Sequence, residues 1–188
     1  MESWMIWLAV IALVAFFVIA LYNRIVALVQ RRKNAFSDID VQLKLRHDLI
    51  PNLVNTVKGY AAHESSVFER VTEARATAMR GGNIADRSQA EGMLGAAMMN
   101  LMAVAENYPQ LKADTNFLQL QAELSDIENK IAAARRFFNN ATSEYNTVIQ
   151  QFPAVLIARM FGFNEEVFFE LDAAEKEAVK TAPNVNFG

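Results

Sequence analysis

The sequence predicts an all-α protein, with an N-terminal transmembrane helix continuing into an elongated antiparallel helical bundle of three long helices and a short C-terminal helix. Three observations predict it. Residues 3–23 carry no charge. Beyond them, apolar residues recur at alternating intervals of three and four, the signature of helices with one buried face. Breakers are scarce, with 7 Gly and 4 Pro in 188 residues, and hydrophobic residues make up 53% of the chain. The organisation that follows is an anchor over residues 1–23, a bundle over 24–163, and an acidic helix with an extended tail over 164–188.

The uncharged stretch is long enough to span a bilayer, since about 21 helical residues rising ~1.5 Å each cover the ~30 Å hydrocarbon core. Trp4 and Trp7 at one end and Tyr22 at the other suit the two aromatic belts. A cleaved signal peptide fits less well, because no basic region leads the stretch and Tyr22-Asn23-Arg24 offers no small-residue cleavage site. Arg24, Arg31, Arg32 and Lys33 all follow the span and none precedes it. The positive-inside rule therefore puts the bundle in the cytoplasm and the short N-terminus outside.

The helix is expected to run on past the span. In residues 34–64, Phe36, Ile39, Leu43, Ile50, Leu53, Val57 and Tyr60 form a continuous seam, with Arg46 in the one slot lacking an apolar residue. Pro51 removes a backbone donor and predicts a kink near residues 47–51. The seam keeps its phase through Val67, Val71, Ala74 and Ala78, so one helix is expected as far as Gly81-Gly82-Asn83. Asp86 with Gln89 reads as the start of a second helix, carrying Leu94, Ala97, Leu101, Val104 and Tyr108. Met93, Met98, Met99 and Met102 suit adaptable core packing better than a promiscuous binding face.

The third helix has the cleanest pattern: Phe117, Leu120, Leu124, Ile127, Ile131, Ala134, Phe138, Ala141, Tyr145, Val148 and Phe152. Partners joined by short turns favour a bundle over a free coiled coil. Pro153 ends it and a short apolar piece follows. Asn164 is expected to cap a last helix containing Val167, Phe168, Leu171 and Ala174, whose Glu165 and Glu166 suit the positive end of the helix dipole.

Reactive chemistry finds little support. A net charge of −3 argues against nucleic acid as a partner, and with no Cys there is no thiolate chemistry. His47 and His63 are the only histidines, and neither belongs to an HExxH or Glu-x-x-His motif. Gly81-Gly82 lacks a nucleotide-loop context, and Tyr60, His63, Glu64, Ser65 and Ser66 read as helix-end residues rather than a catalytic set. No catalytic, cofactor-binding or metal-binding residue is assigned, and no cofactor is expected. The polar groups in or beside the seams are Arg46, Asn52, Glu64, Glu128, Asn129, Arg135 and Arg136. Buried polar groups must be paired, which makes Arg46 and Glu128 a candidate pair; exposure of Arg46 at the kink is the alternative.

The chain resembles the LemA family of bacterial membrane proteins. The resemblance is carried by Tyr22-Asn23 with Ile25-Val26, by residues 34–64, by residues 107–146 (NYPQLKADTNFLQLQAELSDIENKIAAARRFFNNATSEYN), by the FP…FGF segment and by the acidic tail ending PNVNF. Phe137 and Phe138 depart from a pair that is often tyrosine in the family. The resemblance implies a single-pass protein of the bacterial inner membrane with an antiparallel helical bundle. It brings no catalytic mechanism.

The function expected is that of a non-enzymatic membrane scaffold or interaction module. Its long first helix should outreach its intramolecular partners, leaving Phe36, Ile39 and Leu43 for a second copy or another membrane protein. The alternative is a lipid-binding or membrane-shaping protein whose Arg24, Arg31, Arg32 and Lys33 contact anionic membrane lipids. A metal-dependent bundle enzyme is a third, less favoured reading.

Overall fold

The computed structural model describes residues 2–170 and, among them, contains six helices and no strand. These are α1 (Glu2–Tyr60), α2 (Ser65–Met79), α3 (Ile84–Glu106), α4 (Pro109–Lys112), α5 (Thr115–Gln150) and α6 (Ala154–Phe161). The all-α expectation holds. The first part of α1 is long and apolar enough to cross a membrane, and none of that apolar window is buried within the protein.

The described residues divide into two compact units, one of residues 2–39 and 133–167, the other of residues 40–132 and 168–170. In the first unit α1 and α5 run antiparallel, with Arg31 meeting Glu144, Arg32 meeting Thr142 and Phe36 meeting Phe138. Its core joins Ile25 and Leu28 of α1 to Tyr145, Val148 and Ile149 of α5 and to Ala154, Ile157 and Ala158 of α6. In the second unit the same antiparallel sense appears in Arg46 meeting Glu128 and, further along α1, Tyr60 meeting Asp114 just before α5. Its core gathers Ile50, Leu53 and Val57 of α1, Val67, Phe68 and Val71 of α2, Leu94 and Leu101 of α3, Leu111, and Phe117 and Leu124 of α5.

Pro51 lies inside α1 and does not end it. A proline there deprives the carbonyl four residues back of its helical donor. That carbonyl belongs to His47, and the Arg75 guanidinium of α2 donates to it at 2.7 Å. A side chain from a neighbouring helix thus replaces the missing backbone bond, and the ladder continues on either side.

The first long helix does not reach Ala78 as expected. It stops at Tyr60, where Ala61 N–H donates to Val57 and Glu64 N–H to Ala61 in a short turn before α2. No residue of 61–64 is a strong breaker, so local propensity does not explain the turn. Packing does: Ala61, Val67, Phe68 and Val71 are all buried in a core shared with α3. Gly81 and Gly82 adopt positive φ (74° and 133°) in the tight connection between α2 and α3. The cap of α3 is Asn83, whose side chain accepts from Asp86 N–H at 2.9 Å, so Asp86 sits in the first turn rather than at the cap.

Two further expectations change. Phe152, assigned to the third seam, is exposed, because α5 ends at Gln150. Residues 163–170, expected to open a helix at Asn164, are not helical. Their backbone is held by side chains instead. Tyr145 Oη donates to Asn164 C=O at 2.9 Å, while Asn146 both accepts from Glu166 N–H and donates to Glu166 C=O, each at 2.9 Å. These bonds replace the local ladder that a helix would need. The rest of that expected helix, with Leu171, Asp172, Ala174, Glu175 and Glu177, and the extended tail lie outside the described residues.

Candidate functional site

The most concentrated set of charged groups lies in the second unit. The seam of α1 directs Arg46 inward, and the seam of α3 places Glu91 three residues before Leu94 on the same face. Both side chains are almost fully buried and are bonded to each other through Arg46 Nη2 and Glu91 Oε2. Arg46 Nη1 also donates to Glu128 Oε1 of α5 at 2.9 Å, with the Glu128 side chain 44% exposed. His47, next along α1, places Nε2 2.9 Å from Glu91 Oε1. Burial pulls the Arg46 guanidinium down, but Glu128 and Glu91 outweigh it and leave it above its usual value. Burial pushes the Glu91 carboxyl up; its contacts with His47 and Arg46 outweigh that and hold it below the usual carboxylate range.

The predicted pairing of Arg46 with Glu128 is therefore present, and its deeper partner is Glu91. Glu91 carried a legible signal: it falls in register with Leu94, Ala97 and Leu101, a charge inside an apolar seam. Chemically the cluster is a buried ionic network. Each carboxylate faces a guanidinium, and no group of three or more His, Asp or Glu able to hold a metal occurs among the described residues. His63 is exposed. Tyr60 Oη donates to Asp114 at 3.0 Å, a bond that raises the Tyr60 phenol above its usual value. Asn52, Asn129 and Arg136 are exposed, and Glu64 is half-buried.

In the first unit, Arg32 is the focus. It is buried, with Nε donating to Thr142 Oγ1 at 3.1 Å and Nη2 to Val167 C=O at 3.2 Å. It also lies 3.1 Å from the Glu166 carboxylate and 4.9 Å from the centre of the Phe138 ring. Beside it, burial, reinforced by Glu166 and opposed by Arg32, raises the Tyr145 phenol. Arg31 pairs with Glu144 at 2.7 Å. The proposed headgroup contacts are corrected accordingly. Arg31 and Arg32 are engaged within the protein, and only Arg24 and Lys33 of that set are exposed without such a pairing.

The proposed self-association surface is corrected as well. Ile39 and Leu43 are fully buried, and half-buried Phe36 stacks on Phe138 with ring centres 5.5 Å apart. The expectation assumed that the juxtamembrane helix outreaches its partners, whereas the 36 residues of α5 supply a partner helix along it. On α1 the exposed large apolar residues beyond the span are Val41, Leu45 and, at its last residue, Tyr60.

The sequence profile of the LemA family matches residues 35–187. The chain belongs to the LemA family. Among related proteins, the magnetosome protein MamQ of Magnetospirillum gryphiswaldense is 26% identical over 193 residues, covering 88% of this chain and 71% of its own. A MamQ protein of Paramagnetospirillum magneticum is 27% identical over 191 residues, covering 87% and 70%. Protein LemA of Metamycoplasma hominis is 24% identical over 155 residues, covering 80% and 69%. The match of this LemA-family chain covers α1 from residue 35 and all of α5, so the residues of the Arg46 network and the partners of Arg32 lie within it, whereas Arg31, Arg32 and Lys33 precede it.

Proposed function

We propose that this LemA-family protein is a non-enzymatic interaction module, anchored in the bacterial inner membrane by the first part of α1. Its cytoplasmic helices would then meet a second copy or another membrane protein. The observation that carries the reading is α1 itself: a single helix in which an apolar stretch with none of its window buried leads into residues that pack with other helices. The charged side chains most deeply set in those helices are occupied with one another, as structural pairs rather than as free acids or bases. The positive-inside rule applied to Arg24, Arg31, Arg32 and Lys33 supports the cytoplasmic assignment.

Self-association is proposed to use the exposed stripe of Val41 and Leu45, four residues apart on one face of α1. Mass photometry of the detergent-solubilised full chain should show oligomers that a Val41→Glu, Leu45→Glu double variant converts to monomers. A monomer at all concentrations in the wild type removes the self-association reading. Stoichiometric metal in protein purified without added metal would favour the enzyme reading instead.

A further inference from the structure

We propose that α6 is an interfacial helix, lying at the end of the membrane span with Phe152, Leu156 and Met160 set among the headgroups and upper acyl chains of the same bilayer. The proposal rests on the reading of residues 3–23 as a membrane span.

The inner face of α6 fixes its position. Ala154, Ile157 and Ala158 share a buried cluster with Ile25 and Leu28, and Val18 and Leu21 pack against that cluster. The last two belong to the uncharged stretch, so α6 docks beside the final turns of the span and the first turns beyond it. Rings mark the same level. Tyr22 has its ring centre 4.8 Å from that of Phe161 and 5.8 Å from that of Phe163. An aromatic group there suits the belt where a spanning helix leaves the hydrocarbon.

The outer face has no cover of its own. Phe152, Leu156 and Met160 recur every four residues and are 82%, 57% and 65% exposed. Leu156 and Met160, one turn apart on α6, together with Phe152 just before its start, form an apolar patch that water does not favour. Charge points to the same occupant. Residues 151–164 contain no acid and one base, Arg159, which is exposed. Exposed Arg24 follows the span directly. Apolar residues on one face with basic residues at the rim are what a helix in the plane of an anionic membrane surface presents. Gly162, at φ 74°, ends α6, and Phe163 N–H closes the turn on Ala158 C=O at 2.9 Å. The chain leaves the patch there.

The test uses the natural absence of cysteine. Single cysteines replace Leu156, Met160, Leu13 and Asn140 in the full chain. Each variant is spin-labelled and reconstituted in phosphatidylcholine vesicles containing phosphatidylglycerol. Collision with lipid-soluble oxygen and with a water-soluble nickel chelate is then compared. Labels at Leu156→Cys and Met160→Cys should collide several-fold more with oxygen than with nickel, at a depth shallower than Leu13→Cys, while Asn140→Cys shows the reverse. If Leu13→Cys reports lipid but the two α6 labels report water, the proposal falls and the anchor stands. If Leu13→Cys reports water, the anchor reading falls first and takes the proposal with it. Labels on α6 shielded from both reagents would show a protein cover and overturn the proposal. Lipid contact at Asn140→Cys as well would overturn it too, since the contact would not then be specific to α6.

Discussion

At the scale of single residues, the Arg46 network shows how burial sorts two carboxylates that meet the same guanidinium. Glu91 is buried with Arg46, whereas the Glu128 side chain is nearly half exposed. Removing one partner of a buried pair leaves the other charge without compensation, while an exposed pair contributes little. Glu91→Gln should therefore cost about 3 kcal/mol, the lower end expected for a buried pair because Arg46 keeps Glu128. Glu128→Gln should cost less than about 1 kcal/mol. Urea unfolding of the full chain in detergent, followed by circular dichroism, measures both; equal costs would contradict the assignment of Glu91 as the deeper partner. The same carboxylate sets a pH dependence. Its folded pKa lies below its ordinary value of 4.5, so between the two values the unfolded chain binds a proton that the folded chain does not. Glu91's contribution is complete above pH 4.5 and is lost as pH falls through the folded value. The stability gap between wild type and Glu91→Gln should accordingly narrow below pH 4.5, and a gap that stays constant there would contradict it.

At the scale of elements, the helices that were legible are those whose apolar spacing is reinforced by local chemistry. The seam of α5 from Phe117 to Val148 is buried at Leu124, Ile131, Phe138, Ala141 and Tyr145, and Asp114 caps its start by accepting from Phe117 N–H at 2.9 Å. The Arg46–Glu128 pairing was legible for a related reason: a charge in an apolar seam requires a partner. What was not legible depends on contacts distant in sequence. The turn at residues 61–64 has no breaker, and the apolar spacing continues across it in phase, so only burial against α3 reveals it. That α1 runs through Pro51 was legible from its seam, but the bond that replaces the lost backbone donor comes from Arg75, 28 residues beyond His47. Residues 164–167 carry helix-start chemistry, yet Tyr145, Asn146 and Arg32 hold their backbone in another form. Asn146→Ala should release this grip. The two backbone bonds lost at Glu166 should speed its amide exchange and cost about 1–2 kcal/mol, while amides inside α6 keep their protection. Unchanged exchange at Glu166 would show that the segment is held by something other than Asn146.

At the scale of the whole molecule, the claim to settle is which side of the membrane each end of the span faces. An apolar stretch of this length with none of its window buried meets protein only at its last turns, through Val18 and Leu21, and the hydrophobic effect drives the rest of such surface out of water. Length alone does not orient such a stretch; the proposed orientation rests on charge. The basic residues all follow the span, and two of them, Arg31 and Arg32, are also tied into the fold through Glu144, Glu166 and Thr142. The structural role of these two arginines and the topological one are compatible, because insertion reads charge along the emerging chain, whereas pairing with α5 requires residues made more than a hundred positions later. Orientation should therefore survive loss of the pairing but respond to loss of charge. In intact bacteria, a cysteine at Ser3 should react with a membrane-impermeant maleimide and one at Asn140 should react only after permeabilisation. A Glu144→Gln, Thr142→Val variant should keep that pattern. Replacing Arg24, Arg31, Arg32 and Lys33 together by glutamine should mix it. Labelling of Asn140→Cys in intact wild-type cells would place the helical region outside and reverse the topology argued from charge.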